Sequence, residues 1–173
     1  MSERFFVDTN VLVYLYDSGH AAKQAVAAEW LMRLWRERSG RTSTQVLNEL
    51  YVTLTRKLAR GLRADEAWDI VQSLMAWEPQ PIDRDLLLRA REIERRYRIS
   101  WWDSLIVSAA QLQDCDVLLT EDLQTGMIFD RVTVLNPFNA EVRETHAAYA
   151  TQPSLISRHR SRGRPRKNCP VPV

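Results

Sequence analysis

The stretch "RFFVDTNVLVYLYD" (residues 4–17) sets a carboxylate, Asp8, between two runs of bulky apolar side chains. Phe5, Phe6 and Val7 do not alternate with polar residues, so Arg4 to Val7 predicts a short buried strand. The apolar run from Val11 to Leu15 reads as a short helix with Asn10 as its expected N-cap. Taken alone, an aspartate at such a junction is an ordinary turn residue. At the carboxyl end of a strand in an open α/β sheet, it also stands where such sheets bind ligands. The rest of the chain decides between these readings.

Beyond residue 17 the apolar period changes to that of helices. Val26, Trp30 and Leu34 form one row, and Ala27, Leu31 and Trp35 the next, predicting a helix over 21–37 that ends at Ser39-Gly40. A polar approach, "RTSTQ", leads into a helix from about Gln45 to Arg60, stopped by Gly61. Further helices are predicted over 64–76, 84–97 and from the Ser100 cap to about Gln113, with Pro79 and Pro81 breaking the chain between the first two. "DVLLT" (116–120) and "VTVL" (132–135) read as two more buried strands. Strands alternating with helices imply a mainly parallel sheet between helical layers, an α/β fold. Residues 1–140 form the expected globular domain. From Thr151 onward Pro, Ser, Arg and Gly dominate, so residues 141–173 are expected to be a basic extension without fixed structure.

Composition narrows the classes. With 45% apolar and 27% charged residues in 173, the chain is an ordinary globular protein. It has no apolar run fit to span a bilayer and no signal-peptide core, so a cytoplasmic protein is expected. Two cysteines and three histidines lie scattered and predict neither a zinc site nor a disulfide framework. The net charge of +2 hides an asymmetry: residues 151–173 carry Arg158, Arg160, Arg162, Arg164, Arg166 and Lys167 and no acid, leaving a mildly acidic body.

Four acids stand out. Asp8 ends the first strand, and Asp122 follows the "DVLLT" strand with Glu121 beside it, so parallel strands bring both ends to one sheet edge. Asp103, in "WWDSLIVSAAQL", shares a helix face with Ile106, Val107 and Ala110. A capping box with Ser100 accounts for an acid near that helix start, but less well for one on an apolar stripe. Glu49 lies at the edge of an apolar helix face beside Val46 and Thr53, a position usually solvated. Converging carboxylates repel, and must take up protons or bind a cation. Oxygen ligands without His or Cys select Mg²⁺ or Mn²⁺, and such an ion activates water and neutralises a phosphodiester.

The segments "FVDTNVLVYLYD", "TSTQVLNELY", "ISWWDSLIVSAA", "LLTEDLQTG" and "VLNPF" span residues 5–138. In order and spacing they resemble a PIN-domain nuclease, in particular the VapC-type toxins of bacterial toxin–antitoxin pairs. The resemblance implies a three-layer α/β/α sandwich, Mg²⁺- or Mn²⁺-dependent endoribonuclease activity, a homodimer, and an antitoxin partner that blocks the site. Asp8, Glu49, Asp103 and Asp122 match the family's acidic, metal-holding quartet. Asn10 matches a residue that helps hold the first aspartate, and Thr120 a small hydroxyl residue at the strand end. Adjacent Glu121 and Asp122 point to opposite sides, so one of them faces the metal; a side chain leaving the strand tip favours Asp122.

The tail departs from the family. "SRGRPRK" (161–167) resembles an AT-hook, an arm that lays arginines in a narrow minor groove, through Arg162, Arg164, Arg166 and Lys167. A solvated basic tail with general affinity for nucleic acid is the simpler reading. Two rival functions compete with the nuclease. A haloacid-dehalogenase-like phosphatase needs a second aspartate two residues after the first, where this chain has Asn10. A non-catalytic nucleic-acid-binding module of the same fold would have no need of four acids. Adjacent Trp101 and Trp102 cannot both face one core, so one is available to a dimer or antitoxin contact.

Overall fold

Strand β1 (Phe5–Val7) is buried at every residue and lies inside a five-stranded sheet of order β2-β1-β3-β5-β4. The computed structural model describes residues 3–139. Its β3 (Val117–Leu119) and β5 (Val132–Leu135) are the other two strands anticipated from apolar runs. They run parallel to β1, with Phe6 opposite Leu118 and Leu119 opposite Leu135. Phe6, Val7, Leu118 and Leu119 are all buried, so consecutive residues meet cover on both faces of the sheet. This is the mainly parallel α/β arrangement expected.

Two edge strands escape the sequence pattern. β2 (Gly40–Arg41) pairs parallel with β1, and β4 (Ile128–Phe129) pairs antiparallel with β5. Each is two residues long, too short to display a period.

The helices are α1 (Thr9–Val13), α2 (Ala21–Glu37), α3 (Thr44–Arg56), α4 (Ala64–Leu74), α5 (Arg84–Tyr97) and α6 (Trp101–Leu112). Side-chain caps open four of them: Asp8 accepts from the Thr9 N–H, Ser43 from Val46, Asp83 from Leu86 and Ser100 from Asp103. Two expectations are corrected. The N-cap of α1 is Asp8, not Asn10, because Asp8 keeps an extended backbone and its carboxylate accepts from the Thr9 N–H. Helix α3 ends at Arg56 rather than running to Arg60. The Leu62 N–H bonds back to the Leu54 carbonyl at 2.8 Å, and a Cβ at Gly61 would lie 2.8 Å from the Thr55 carbonyl oxygen. Gly61 thus permits a close return of the chain onto a helix that has already ended.

The basic extension 141–173, including Arg162, Arg164, Arg166 and Lys167, lies outside the described residues. No helix among the described residues is long and apolar enough to cross a membrane.

Candidate active site

The sheet register brings the first strand's end to the third's. The Asp8 N–H donates to the Leu119 carbonyl at 3.0 Å, so the residues after β1 and after β3 emerge together at one sheet edge. There the Thr120 hydroxyl donates to Asp8 Oδ2 at 2.7 Å and accepts from the Asp122 N–H at 3.1 Å. Asn10, in the first turn of α1, places its Nδ2 at 3.2 Å from Asp8 Oδ2, 3.1 Å from Thr120 Oγ1 and 2.9 Å from Asp122 Oδ2. One neutral amide therefore bridges two acids 114 positions apart in the chain's order of reading from 8 to 122. Its own Oδ1 accepts from the Glu121 N–H at 3.4 Å, tying the loop after β3 to α1.

Glu49 joins from α3. The Thr9 hydroxyl donates to its Oε2 at 2.9 Å, and Gln45, one turn earlier on the same helix, donates to its Oε1 at 3.0 Å. Glu121 turns elsewhere. It accepts from the Tyr14 hydroxyl at 2.7 Å and from the Lys23 ammonium at 2.5 Å, and Lys23 also donates to Tyr14 at 2.7 Å. Burial works against the Lys23 charge, but Glu121 and Tyr14 outweigh it and its pKa rises. The Tyr14 ring packs edge-on against Phe138, 5.0 Å between centroids.

Asp103 is held locally. In the first turn of α6 it is half-buried, accepts from the Ser100 hydroxyl at 2.7 Å, and donates its N–H to that same oxygen at 3.1 Å. The capping arrangement is the reverse of a full box, since the carboxylate takes the Ser100 hydroxyl rather than its backbone N–H. Among the described residues Asp103 shares no hydrogen-bond partner with Asp8, Glu49 or Asp122.

The electrostatics of the gathered acids are unfavourable as they stand. Asp8 is buried, and its pKa is raised to about 7, first by that burial; the Thr120 and Thr9 hydrogen bonds pull it down, and the charges of Asp122 and Glu49 push it further up. Among the described residues no basic side chain forms an ion pair with Asp8, Glu49, Asp103 or Asp122, and the nearby Lys23 is committed to Glu121. Nor do any three His, Cys, Asp or Glu among the described residues converge into a ready metal cage. The donors nevertheless fit a hard cation. All are oxygens, and Mg²⁺ needs only one or two carboxylates because it keeps several waters.

Glu49 and Asp122, but not Asp8 or Asp103, line a cavity of about 700 Å³ together with Asn10, Val52, Lys57 and Trp102. Lys57 and Trp102 were not singled out as site residues by sequence. A lysine just past a helix end carries no signal of its own, and the adjacent tryptophans point to a dimer or antitoxin contact rather than to the acids' cavity. Lys23 had a faint one, as the sole base in the alanine-rich first half of α2.

The PIN domain family model matches residues 5–135, and the chain belongs to this family. No curated protein sequence matches it. Among solved structures, a toxin–antitoxin complex from Klebsiella pneumoniae is similar to it with a TM-score of 0.57 and 19% identity, over 78% of this chain and 98% of that one. The Mycobacterium tuberculosis VapC20, described as a toxin that cleaves the sarcin–ricin loop, is similar with a TM-score of 0.51 and 24% identity, over 66% of this chain and 86% of that one. At these identities the likeness is one of fold.

Proposed function

We propose that the protein is a Mg²⁺- or Mn²⁺-dependent endoribonuclease that hydrolyses RNA phosphodiester bonds, and that it is the toxin of a toxin–antitoxin pair. The observation that carries this reading is the bridge from Asp8 through Asn10 and Thr120 to Asp122, with Glu49 alongside, in a chain of the PIN-domain family. The two solved structures described above are a toxin–antitoxin complex and a toxin, which favours the toxin role.

Asp8, Asp122 and Glu49 would hold the ion, with Asp103 the fourth member of the quartet. When bound, the ion supplies a water of lowered pKa and neutralises charge on the phosphodiester. The chain's own residues set the stage for that step. Thr120 fixes the Asp8 carboxylate by donating to Oδ2, leaving its remaining lone pairs for another partner. Asn10 holds Asp122 facing Asp8 despite their like charge. Thr9 and Gln45 aim Glu49 by one hydrogen bond to each oxygen.

A homodimer, an antitoxin partner and a cytoplasmic location belong to the same reading. Light scattering at micromolar concentration reads the dimer, and a monomer there overturns that part. The activity is tested with purified protein on total cellular RNA in Mg²⁺ or Mn²⁺, with the cut sites mapped. Discrete cleavage that stops with a chelator and in Asp8→Asn is the expected result; intact RNA across both ions overturns the nuclease reading in favour of a non-catalytic binding module.

A further inference from the structure

Trp101 and Trp102 open α6 side by side but meet different surroundings. Trp101 is half-buried and packs against the core, whereas Trp102 is 64% exposed and lines the cavity with Glu49 and Asp122. Most of the Trp102 indole therefore stays open to contact from within that cavity. Its companions in the lining are informative. Val13 and Val52 provide further apolar wall, and Lys57 adds a cation among the acids. No described hydrogen bond or ion pair engages the Lys57 ammonium, unlike Lys23, which is tied to Glu121. The cavity therefore offers an aromatic face, a carboxylate cluster fit for a cation, and a separate uncommitted ammonium.

Resting on the nuclease reading above, we infer that Trp102 is a stacking platform for an unpaired base next to the scissile phosphate, with Lys57 meeting a neighbouring phosphate. The chemistry of the lining matches a nucleotide unit piece by piece. A base presents a π-face of the size of an indole, and stacking on an aromatic side chain is tolerant of sequence. Phosphates flank each base and seek the cation and the ammonium. A base inside a duplex has both faces covered by its neighbours and cannot reach Trp102, which makes strandedness the specificity that this residue confers. An antitoxin segment seated on the same indole is the competing occupant, and it makes no demand on the presence of a base.

The test uses the full-length chain and a uridine decanucleotide labelled at its 5′ end, alongside the same strand with a single abasic site moved along it and the same strand paired into a duplex. Binding is read by fluorescence anisotropy with Mg²⁺ in an Asp8→Asn background, and KM and kcat are read in the otherwise native protein. Trp102→Leu should weaken binding of the single strand at least about fivefold, the lower end of what base–aromatic stacking gives. Trp102→Phe should restore most of it. One abasic position should weaken the parent to a similar degree while leaving Trp102→Leu unchanged. The duplex should bind both proteins equally and be cut slowly. In cleavage, Trp102→Leu should raise KM more than it lowers kcat, and Lys57→Gln should flatten the salt dependence of binding. An unchanged melting temperature in each variant separates these effects from folding, since Trp102 and Lys57 are both exposed. If the native protein cleaves RNA but Trp102→Leu binds and cleaves as the parent does, or loses affinity with no sensitivity to the abasic site, the platform is wrong while the nuclease stands. If no protein cleaves or binds any strand, the nuclease reading itself falls and takes the platform with it.

Discussion

The Lys23 ammonium meets the Glu121 carboxylate at 2.5 Å, while the adjacent Asp122 carboxylate accepts from the Asn10 amide at 2.9 Å. With Glu121 drawn toward α2 and Tyr14, its neighbour Asp122 turns to Asn10 and Asp8. Exchanging the two acids' charges one at a time should therefore give unequal results. Asp122→Asn should lower metal-dependent cleavage more than the roughly 10–100-fold that loss of a supporting hydrogen bond gives. Glu121→Gln keeps a partner for Tyr14 and should stay within a few-fold of the native rate. Cleavage assays with titrated Mg²⁺ check both, and equal losses would falsify the division of labour.

Metal-free protein should lose stability as the pH rises through the acid-to-neutral range. Asp8 titrates near 7 when folded, against 3.8 as a free side chain, so between those values the folded state keeps a proton that the unfolded chain has released. Its contribution is fully present below about 4 and gone above about 7. Asp8→Asn removes the buried charge and should raise the chelator-treated protein's melting temperature at pH 8. Each kcal/mol gained is worth about 2–4 °C for a chain of this size. The variant should be nearly unaffected at pH 4. Calorimetry with chelator at the two pH values measures this; a variant destabilised at pH 8 contradicts it.

Asn10 is expected to act on metal affinity more than on folding. It is the common donor to Asp8, Thr120 and Asp122, so Asn10→Ala leaves two facing carboxylates without their bridge. Supporting residues of this kind typically carry 10–100-fold in metal affinity or activity. Isothermal titration with Mn²⁺ should show a weakening in that range, with the circular dichroism spectrum unchanged. Native affinity in the variant would reduce Asn10 to a loop tie.

Gly40 in β2 is fixed by packing. A Cβ there would come within 2.7 Å of the Trp77 ring, which is buried and cannot yield as a flexible side-chain end would. Gly40→Ala should cost about 1–3 kcal/mol, the range for overpacking a tight interior. Trp77→Leu added to Gly40→Ala should recover part of the loss introduced by the alanine. Urea denaturation of the single and double variants gives the comparison.

The tail is expected to add attraction without adding fold. The family match ends at residue 135, and residues 151–173 carry six bases and no acid. Deleting 151–173 should leave the melting temperature unchanged, weaken binding of all RNA sequences alike and flatten its salt dependence. A loss confined to AT-rich duplex DNA would instead favour the minor-groove arm formed by Arg162, Arg164, Arg166 and Lys167. Unfolding of the truncated chain would move the domain boundary.

Where the sequence spoke clearly, it was through long or uninterrupted apolar patterns. The runs at 4–7 and "DVLLT" at 116–120 had to be buried strands, and Asp8 and Asp122 at or just past their ends had to lie at a sheet edge once the strands were parallel. The period of α5 likewise located Arg84–Tyr97 to the residue. Gly40-Arg41 and Ile128-Phe129 were illegible because pairing with β1 and β5, not their own composition, makes them strands. Asn10 looked like a cap because the pattern records residue type and not backbone angle; Asp8 holds the extended conformation that a cap requires. Asp103 was legible as an acid on an apolar stripe, but its pairing with Ser100 depends on side-chain reach. Trp102 and Lys57 line one cavity only because the fold brings the start of α6 and the end of α3 to it, and local sequence holds no trace of that.

The sheet's taper has a bearing on how the protein can meet another chain. Its two outer strands are two residues each, and beyond β2 the backbone is already occupied, with Thr44 N–H bonded to the Gln80 carbonyl and Gln80 N–H to that of Thr42. Neither margin presents a row of idle amides long enough to recruit a foreign strand. Among the described residues, then, a foreign strand would find at most two residues to pair with at either margin, and side chains on the helical faces offer the broader surface, where point substitutions leave intact the hydrogen-bonded frame that aligns Asp8 with Asp122.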